Sequence, residues 1–217
     1  MDFKSARTAM VDSQVRPNDV TKYSIISALL KIERENFVPS TLRSVAYAEA
    51  PIKLTDDRTL LDARVFAKLL DALNILPTDF VLDVGCGLGY STAIIADLAE
   101  AVVGLEGDTK MANEATENLT AAQIDNAIVI EGALNLGGKK HAPYDVIVVE
   151  GAYQEWPKAL IDQLKDGGRV GAIKAGNGIG RAQVGIKHDG RLSWREAFDA
   201  DAPILPGFAR ELGFTFS

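Results

Sequence analysis

Residues 80–91 read Phe80-Val81-Leu82-Asp83-Val84-Gly85-Cys86-Gly87-Leu88-Gly89-Tyr90-Ser91, and this stretch decides the fold. Its first five residues are apolar except for one acid, which is typical of a buried parallel strand. Glycines then occupy alternate positions over 85–89, and residues 92–99 have helical spacing. Glycines lack the β-carbons that would hold a ligand away from the backbone, and a helix N-terminus presents unpaired N–H groups. The stretch therefore predicts a strand–turn–helix cradle for a ligand.

The glycine spacing and a second acid indicate which ligand this is. A dinucleotide fingerprint is G-x-G-x-x-G, whereas here the run is G-x-G-x-G with Asp83 two residues before Gly85. This pattern resembles motif I of the class I S-adenosylmethionine (SAM) methyltransferases, which implies SAM as cofactor and S-adenosyl-L-homocysteine as product. The next predicted strand, 101–106, ends in Glu106, where an acid of a doubly wound sheet can accept hydrogen bonds from ribose hydroxyls. A tight turn without a ligand is the alternative.

The residues expected to contact SAM follow from this pattern. Asp83 would hold the amino end of the methionyl group, and Glu106 would bind the ribose. The backbone at the glycines would approach the ligand, with Cys86 as a small residue that fits the turn. Two further positions, Gly132 and Ala133, are implied only by the family resemblance described below, and with them the predicted cofactor set is Asp83, Gly85, Cys86, Gly87, Gly89, Glu106, Gly132 and Ala133.

Length and composition favour one domain. The 217 residues, 47% hydrophobic and 24% charged, can bury one substantial core. We therefore predict a single domain over 1–217, with a helical cap at 1–50 and a core with a C-terminal hairpin at 51–217. The net charge of −7 argues against nucleic acid as a partner.

The remaining composition bears on metals and location. The chain has a single cysteine and two histidines, so an intramolecular disulfide is impossible and we expect no metal site. The N-terminus lacks the apolar core of a signal peptide, and no run is as long as a membrane span. We therefore predict a cytoplasmic protein without a membrane partner, and the oligomeric state stays open.

The periodicity before the glycine turn predicts helices. They fall at 3–15, at 21–34 with Asp19 or Thr21 as cap, at 41–47 as a short turn, and at 62–74 with Asp62 as N-cap. The first fifty residues could cover a sheet edge, pack on a sheet face, or form a lid over a substrate cleft.

After the turn, strands alternate with helices. Strands are predicted at 101–106, 127–131, 144–150 and 169–173, and helices at 109–122 and 156–164, the latter ended by Gly167-Gly168. Two further strands, near 181–187 and 193–199, flank the hairpin signal Asp189-Gly190. The predicted fold is α/β: a Rossmann-like, doubly wound, mostly parallel sheet with helices on both faces, an antiparallel C-terminal hairpin and the N-terminal helical cap.

The order of these signals is similar to the protein-L-isoaspartate O-methyltransferase family. The resemblance runs along nearly the whole chain, through Met10 to Arg16, Glu35-Asn36-Phe37-Val38-Pro39, Ala142 to Val149, Gln163 to Arg169, and Leu205-Pro206-Gly207-Phe208. It implies a SAM-dependent enzyme that methylates the free α-carboxylate of an isoaspartyl residue in a protein or peptide, which begins its repair to aspartate.

Two positions depart from the family pattern. The family's substrate loop reads Thr-Ile-Ser, whereas this chain has Thr59-Leu60-Leu61, so Thr59 is the remaining hydroxyl and our candidate catalytic residue. The family's Gly-Asp-Gly after the third strand is Glu131-Gly132-Ala133 here, which removes an acid expected near the adenine.

Three charged residues are candidates for binding the substrate. Arg58 and Arg64 flank the loop and can pair with a carboxylate, with a solvated surface position as the alternative. Glu150 ends the fourth strand, where such sheets bind ligands, and could contact the SAM amino group or repel an anionic substrate. A carboxylate acceptor needs no general base, so catalysis would rest on positioning and the exclusion of water. Two other hypotheses stay open: a methyltransferase acting on another acceptor, such as a small molecule, and a SAM-binding module without repair activity.

Overall fold

The computed structural model describes residues 2–176 and 178–210. Within these ranges the strands are β1 (Ile52–Lys53), β2 (Thr59–Leu60), β3 (Phe80–Val84), β4 (Ala101–Glu106), β5 (Ala127–Glu131), β6 (Tyr144–Tyr153), β7 (Leu164–Lys174), β8 (Arg181–His188) and β9 (Arg191–Asp199). The α-helices are α1 (Phe3–Met10), α2 (Tyr23–Lys31), α3 (Ala63–Leu73), α4 (Tyr90–Ala96), α5 (Thr109–Ala121) and α6 (Lys158–Gln163).

Seven of these strands form one sheet in the order β5-β4-β3-β6-β7-β8-β9. The first five strands in that order pair in parallel, and β8 and β9 add antiparallel pairings at one edge. The chain runs from β3 outward through β4 to β5 and then returns to β6 on the other side of β3. The topological switch point therefore lies between the carboxyl ends of β3 and β6, where open α/β sheets bind ligands. The predicted fold class is confirmed.

The two faces of the sheet bury different sets of side chains. Because successive strand residues point to opposite faces, Val81 and Val148 join one core cluster while Leu82 and Val149 join the other. Residues of α2, α3 and α4 pack into the first cluster, and Leu160 of α6 packs into the second. Helices on both faces were predicted from the alternation of strands and helices.

The N-terminal segment packs on the first of these faces. Met10, Val15 and Leu29 are buried in the same cluster as α3 and α4. Arg34 connects this segment to the loop before α3, because its Nε donates to the carbonyl oxygen of Ala46 at 2.8 Å and its Nη2 to that of Leu61 at 2.7 Å. Of the predicted uses of the cap, packing on a sheet face is the one that the described residues support.

Local capping and turn signals agree with the structure in two places. Asp62 accepts a hydrogen bond from the backbone N–H of Val65 at 2.9 Å and is the N-cap of α3, as predicted. Asp189 and Gly190 adopt positive φ angles of 47° and 73° and connect β8 to β9 as predicted.

Two other local predictions are wrong. Helix α2 begins after Lys22 without a side-chain cap, so neither Asp19 nor Thr21 caps it; Asp19 has a φ of 66° and ends a short 3-10 turn instead. Gly167 and Gly168 do not end a helix, because α6 already stops at Gln163 and both glycines lie in β7. Among the residues described, no helix is both long and apolar enough to cross a membrane.

Candidate active site

The glycine turn after β3 has the backbone conformation that its sequence predicts. Gly85, Gly87 and Gly89 have φ angles of 83°, 57° and 94°, a region that side chains with a Cβ rarely adopt. A Cβ on Gly87 would lie 2.7 Å from Cδ1 of Leu54, so the preceding loop also requires glycine there. The N–H of Gly85 donates to the carbonyl oxygen of Leu105 at 2.8 Å and anchors the turn to β4.

Asp83 lies at the end of β3, fully buried beneath this turn. Its Oδ2 accepts hydrogen bonds from the hydroxyls of Ser91 and Thr92, both at 2.6 Å, whereas its Oδ1 is buried without a partner among the described residues. Burial raises the pKa of Asp83 to about 6, and the two hydroxyl hydrogen bonds oppose that rise only in part. Oδ1 is therefore available to a donor group of a ligand.

Glu106 ends β4 beside the turn, and all of its acceptor sites are engaged. Oε2 accepts from Nη2 of Arg58 at 2.7 Å and from the N–H of Gly87 at 2.8 Å. Oε1 accepts from the N–H groups of Gly107 at 2.8 Å and Asp108 at 3.3 Å. Because a carboxylate offers about four lone-pair sites, ribose hydroxyls would have to replace at least one of these donors.

Arg58 lies at the glycine turn itself rather than only in the loop that flanks it. Its side chain is 3% exposed, and its Nη2 donates to the carbonyl oxygen of Gly85 at 2.6 Å as well as to Glu106. Its Nε and Nη1 are buried and make no hydrogen bond within the described part of the chain. Arg58 therefore connects the glycine turn to Glu106 and lines the space beside Glu106.

That space is a cavity of about 690 Å³, within the range of small-molecule sites. Of the predicted cofactor residues, Glu106 and Ala133 line it, and Gly132 lies next to it, with its N–H donating to the Glu106 carbonyl oxygen at 3.0 Å. The complete lining is Thr55, Asp56, Asp57, Arg58, Glu106, Gly107, Asp108, Met111, Ala133, Leu134, Asn135, Pro206 and Gly207.

The last two lining residues come from a tail that the sequence did not assign to the site. Residues 203–205 run beside β6, where the N–H of Ala152 donates to the Pro203 carbonyl oxygen at 2.8 Å and the N–H of Leu205 to that of Ala152 at 3.0 Å. This pairing carries Pro206 and Gly207 to the cavity wall. Only the Leu-Pro-Gly-Phe resemblance drew attention to this segment.

The residues predicted to lie on the acceptor side occupy three different places in the structure. Thr59 lies in β2 with its hydroxyl oxygen buried and unpaired in the described structure. Glu150 is 4% exposed at the carboxyl half of β6, at the switch point. Arg64 lies half-buried in the first turn of α3 and does not line the cavity. Leu61, in the position where the family pattern has a serine, is a core residue with 2% exposure.

Arg34 is a buried charge that the sequence gave no reason to select. It is 1% exposed, its guanidinium lies 4.7 Å from the ring centroid of Tyr90, and its Nη1 has no hydrogen-bond partner in the described ranges. In the sequence it stands between two glutamates, a pattern that resembles a solvated turn. Cys86 is buried in the turn, and burial raises the pKa of its thiol, which disfavours the reactive thiolate; its place among the cofactor residues stays a prediction.

The strand order, the glycine turn and the acids at the ends of β3 and β4 define a class I SAM-dependent methyltransferase. Residues 5–194 match the family described as Protein-L-isoaspartate(D-aspartate) O-methyltransferase. The chain belongs to this family.

Individual relatives agree with this assignment. The chain is 38% identical over 164 residues to the protein-L-isoaspartate O-methyltransferase of Methanoculleus marisnigri, covering 76% of this chain and 74% of that one. It is 34% identical over 184 residues to that of Methanoregula boonei, covering 85% and 84%.

Solved structures support the same fold. A protein-L-isoaspartate O-methyltransferase matches with a TM-score of 0.81 at 25% identity, covering 93% of this chain and 66% of that chain. A protein from Plasmodium falciparum, solved in complex with S-adenosyl-L-homocysteine, matches with a TM-score of 0.78 at 20% identity over 94% and 98% of the two chains. At that identity the second likeness shows the fold alone.

Proposed function

We propose that this protein transfers the methyl group of SAM to the free α-carboxylate of an isoaspartyl residue in a protein or peptide. The observation that carries the proposal is the glycine turn between Asp83 and Glu106, in a chain that belongs to this family. The relatives with 34–38% identity bear the name of that activity. We also expect the enzyme to act in the cytoplasm.

The residues present fit SAM. The free Oδ1 of Asp83 can accept a hydrogen bond from the methionyl ammonium group, and the backbone at 85–89 can approach the cofactor because no Cβ intervenes. Glu106 can bind the ribose once Arg58 or a backbone donor releases one of its oxygens, and Met111 and Ala133 offer apolar surface to the adenine in the cavity. When bound, SAM supplies an electrophilic methyl group on its sulfonium.

The protein's task is then to position the acceptor. A carboxylate is already ionised at neutral pH, so its oxygen needs no base, and the rate depends on alignment with the methyl group and on the exclusion of water. We assign acceptor positioning to Thr59, whose unpaired hydroxyl lies in the strand that follows Arg58, and charge complementarity to Arg58. Thr59, Glu150 and Arg64 all lie outside the cavity lining, so each would contact a part of the substrate that extends beyond the cavity.

One observation favours a second candidate function, methyl transfer to another acceptor such as a small molecule. Leu61 is buried in the core where the family pattern has a serine, and Glu150 places an acid at the switch point. An amine or hydroxyl acceptor would use a base there, which a carboxylate does not require.

Labelled SAM tests the proposed function directly. The purified chain is incubated with a peptide containing one isoaspartyl residue, and with a control peptide of the same sequence containing aspartyl. We expect label in the isoaspartyl peptide alone, as a base-labile ester. Label in neither peptide, together with a labelled small molecule from a cell extract, would favour the second candidate. Binding of S-adenosyl-L-homocysteine by calorimetry without any labelled product would indicate a binding module.

A further inference from the structure

Glu150 lies directly beside the glycine turn. In the pairing of β3 with β6, Asp83 is opposite Val148 and Val84 is opposite Val149, and Glu150 is the next residue of β6. Its strand is irregular between Val148 and Ala152, so regular alternation does not fix the face from which Glu150 projects. The charge of Asp83 acts on Glu150, which places the two carboxyl groups near each other at the carboxyl ends of β3 and β6.

One carboxyl oxygen of Glu150 is buried without a hydrogen-bond partner among the described residues. Glu150 is 4% exposed, and its Oε1 makes no hydrogen bond to any residue that the structure describes. Structural acids in cores have their oxygens satisfied, as Glu106 has through its four donors. An unpaired oxygen at the switch point therefore indicates a group that is kept for a ligand.

Three charged groups act on the buried carboxyl of Glu150. These are Asp83 on β3, Arg58 before β2 and Arg34 in the N-terminal segment. Burial first, and the charge of Asp83 second, raise the pKa of Glu150 well above its ordinary value, and the two arginines only partly oppose this. Both arginines direct hydrogen bonds elsewhere, Arg58 to Glu106 and Arg34 to backbone carbonyls. A protonated carboxyl is a hydrogen-bond donor.

We propose that Glu150 binds the acceptor as a hydrogen-bond donor: the O–H of its carboxyl donates to one oxygen of the acceptor carboxylate and leaves the other oxygen free to attack. This rests on the proposed function and names the group that recognises its substrate. In the transfer step the attacking oxygen forms the new O–C bond while the S–C bond breaks, and that electron pair stays on sulfur. Glu150 keeps its proton throughout, so the step needs no proton acceptor.

The protonated form also explains how an acid can serve an anionic substrate. An ionised Glu150 would repel the acceptor carboxylate, since like charges at such distances in a buried site interact unfavourably. Binding of the acceptor should therefore weaken as the pH rises and Glu150 loses its proton. This dependence distinguishes a hydrogen-bond donor from a base, which would become more effective over the same range.

The test uses two variants of the full chain, Glu150→Gln and Glu150→Ala, each saturated with S-adenosyl-L-homocysteine for calorimetry with the isoaspartyl peptide. Gln keeps a neutral donor, so we expect peptide affinity within about threefold of wild type at pH 7 and a flat profile from pH 7 to 9. Ala lacks the donor, and a hydrogen bond to a charged group predicts roughly 10–100-fold weaker binding. The dissociation constant of S-adenosyl-L-homocysteine should be unchanged in both, which also shows that both fold.

Each contrary result has a distinct meaning. The inference is overturned if Gln binds peptide as weakly as Ala, because an ionised carboxylate would then be required, or if both variants match wild type. Weaker S-adenosyl-L-homocysteine binding in Gln would instead assign Glu150 to the cofactor. A wild type that binds the peptide with the expected variant pattern but does not methylate it would sink the proposed function while leaving the binding role intact. Absence of peptide binding to wild type would overturn both.

Discussion

Two buried glutamates flank the glycine turn, and they differ in their hydrogen bonds. Glu106 of β4 and Glu150 of β6 both lie at the carboxyl edge, on either side of β3, with exposures of 1% and 4%. Glu106 accepts hydrogen bonds from four donors, including the guanidinium of Arg58. Glu150 has an oxygen without any partner in the described structure. The comparison indicates that the hydrogen bonds of Glu106 are satisfied within the protein, whereas Glu150 has an oxygen that can still bond a ligand.

The largest expected effect comes from neutralising each acid in turn. Glu106→Gln leaves the buried guanidinium of Arg58 without its counter-charge, and breaking such a pair from one side costs about 3–5 kcal/mol. Glu150 has a buried oxygen without a partner in the described structure, so Glu150→Gln leaves no counter-charge unpaired, and we expect a change within about 1 kcal/mol, of either sign. Denaturant unfolding at pH 7 measures both free energies.

The double variant Arg58→Met/Glu106→Gln is the control for this prediction. Because it removes both charges together, it should lose less stability than Glu106→Gln alone. Equal losses for the two single Gln variants would contradict the contrast between the acids.

Much of the Glu106 side could be predicted from the sequence because its signals are local. A short apolar strand, alternating glycines and an acid at the end of the next strand are each read within a few residues, and the strand bounds of β3, β4 and β5 agree with the structure. The contact that completes the scaffold is not local: Arg58 and Glu106 are 48 positions apart. Periodicity identifies a loop arginine but does not show which carboxylate it reaches.

The surroundings of Glu150 were less predictable, again because the contacts join residues that are distant in the sequence. Its neighbours come from the N-terminal segment, from the loop before α3 and from β3, so only tertiary packing brings Arg34, Arg58 and Asp83 to it. The sequence predicts that Glu150 ends its strand, whereas β6 continues to Tyr153, and ligand binding by Glu150 stays a prediction. Its protonation depends on burial, which a strand pattern does not quantify. The family resemblance supplied the activity but no role for this residue.

Asp83 lies on the strand between the two glutamates, and its pH-dependent contribution to the free energy of unfolding is the effect of intermediate size. Its folded pKa of about 6 is higher than the ordinary 3.8, so the native state binds the proton more tightly than the unfolded chain does. Its contribution to stability is therefore fully present below pH 3.8 and is lost as the pH rises through 6. The loss between these limits amounts to about 3 kcal/mol.

Asp83→Asn removes this titration, so its free energy of unfolding should fall less than that of wild type between pH 4.5 and 7. Both proteins are unfolded in urea at each pH, and the difference of differences isolates the Asp83 contribution. If the free energy of unfolding rose between pH 4.5 and 7 by more in wild type than in Asp83→Asn, the pKa of Asp83 would not be raised. Asp83 would then be an ionised, stabilised carboxylate like Glu106.

The smallest effect concerns the turn that separates the two acids. Gly87→Ala places a Cβ at a φ of 57° and 2.7 Å from Cδ1 of Leu54. Gly167→Ala is a matched control, because Gly167 has a φ of 77° and its added Cβ would meet nothing within 4 Å. The backbone cost of about 1–2 kcal/mol is common to both.

We therefore expect Gly87→Ala and Gly167→Ala to differ in ligand binding rather than in stability. Gly87→Ala pushes the Leu54 loop, and with it Arg58, so we expect weaker binding of S-adenosyl-L-homocysteine by calorimetry, whereas Gly167→Ala should bind as wild type does. Adding Leu54→Ala to Gly87→Ala removes the side chain in the way and should restore part of the affinity without recovering the backbone cost. If both glycine variants bind S-adenosyl-L-homocysteine equally well, the Leu54 loop does not influence the glycine turn. Arg58 would then not connect the Glu106 side of the site to the Glu150 side.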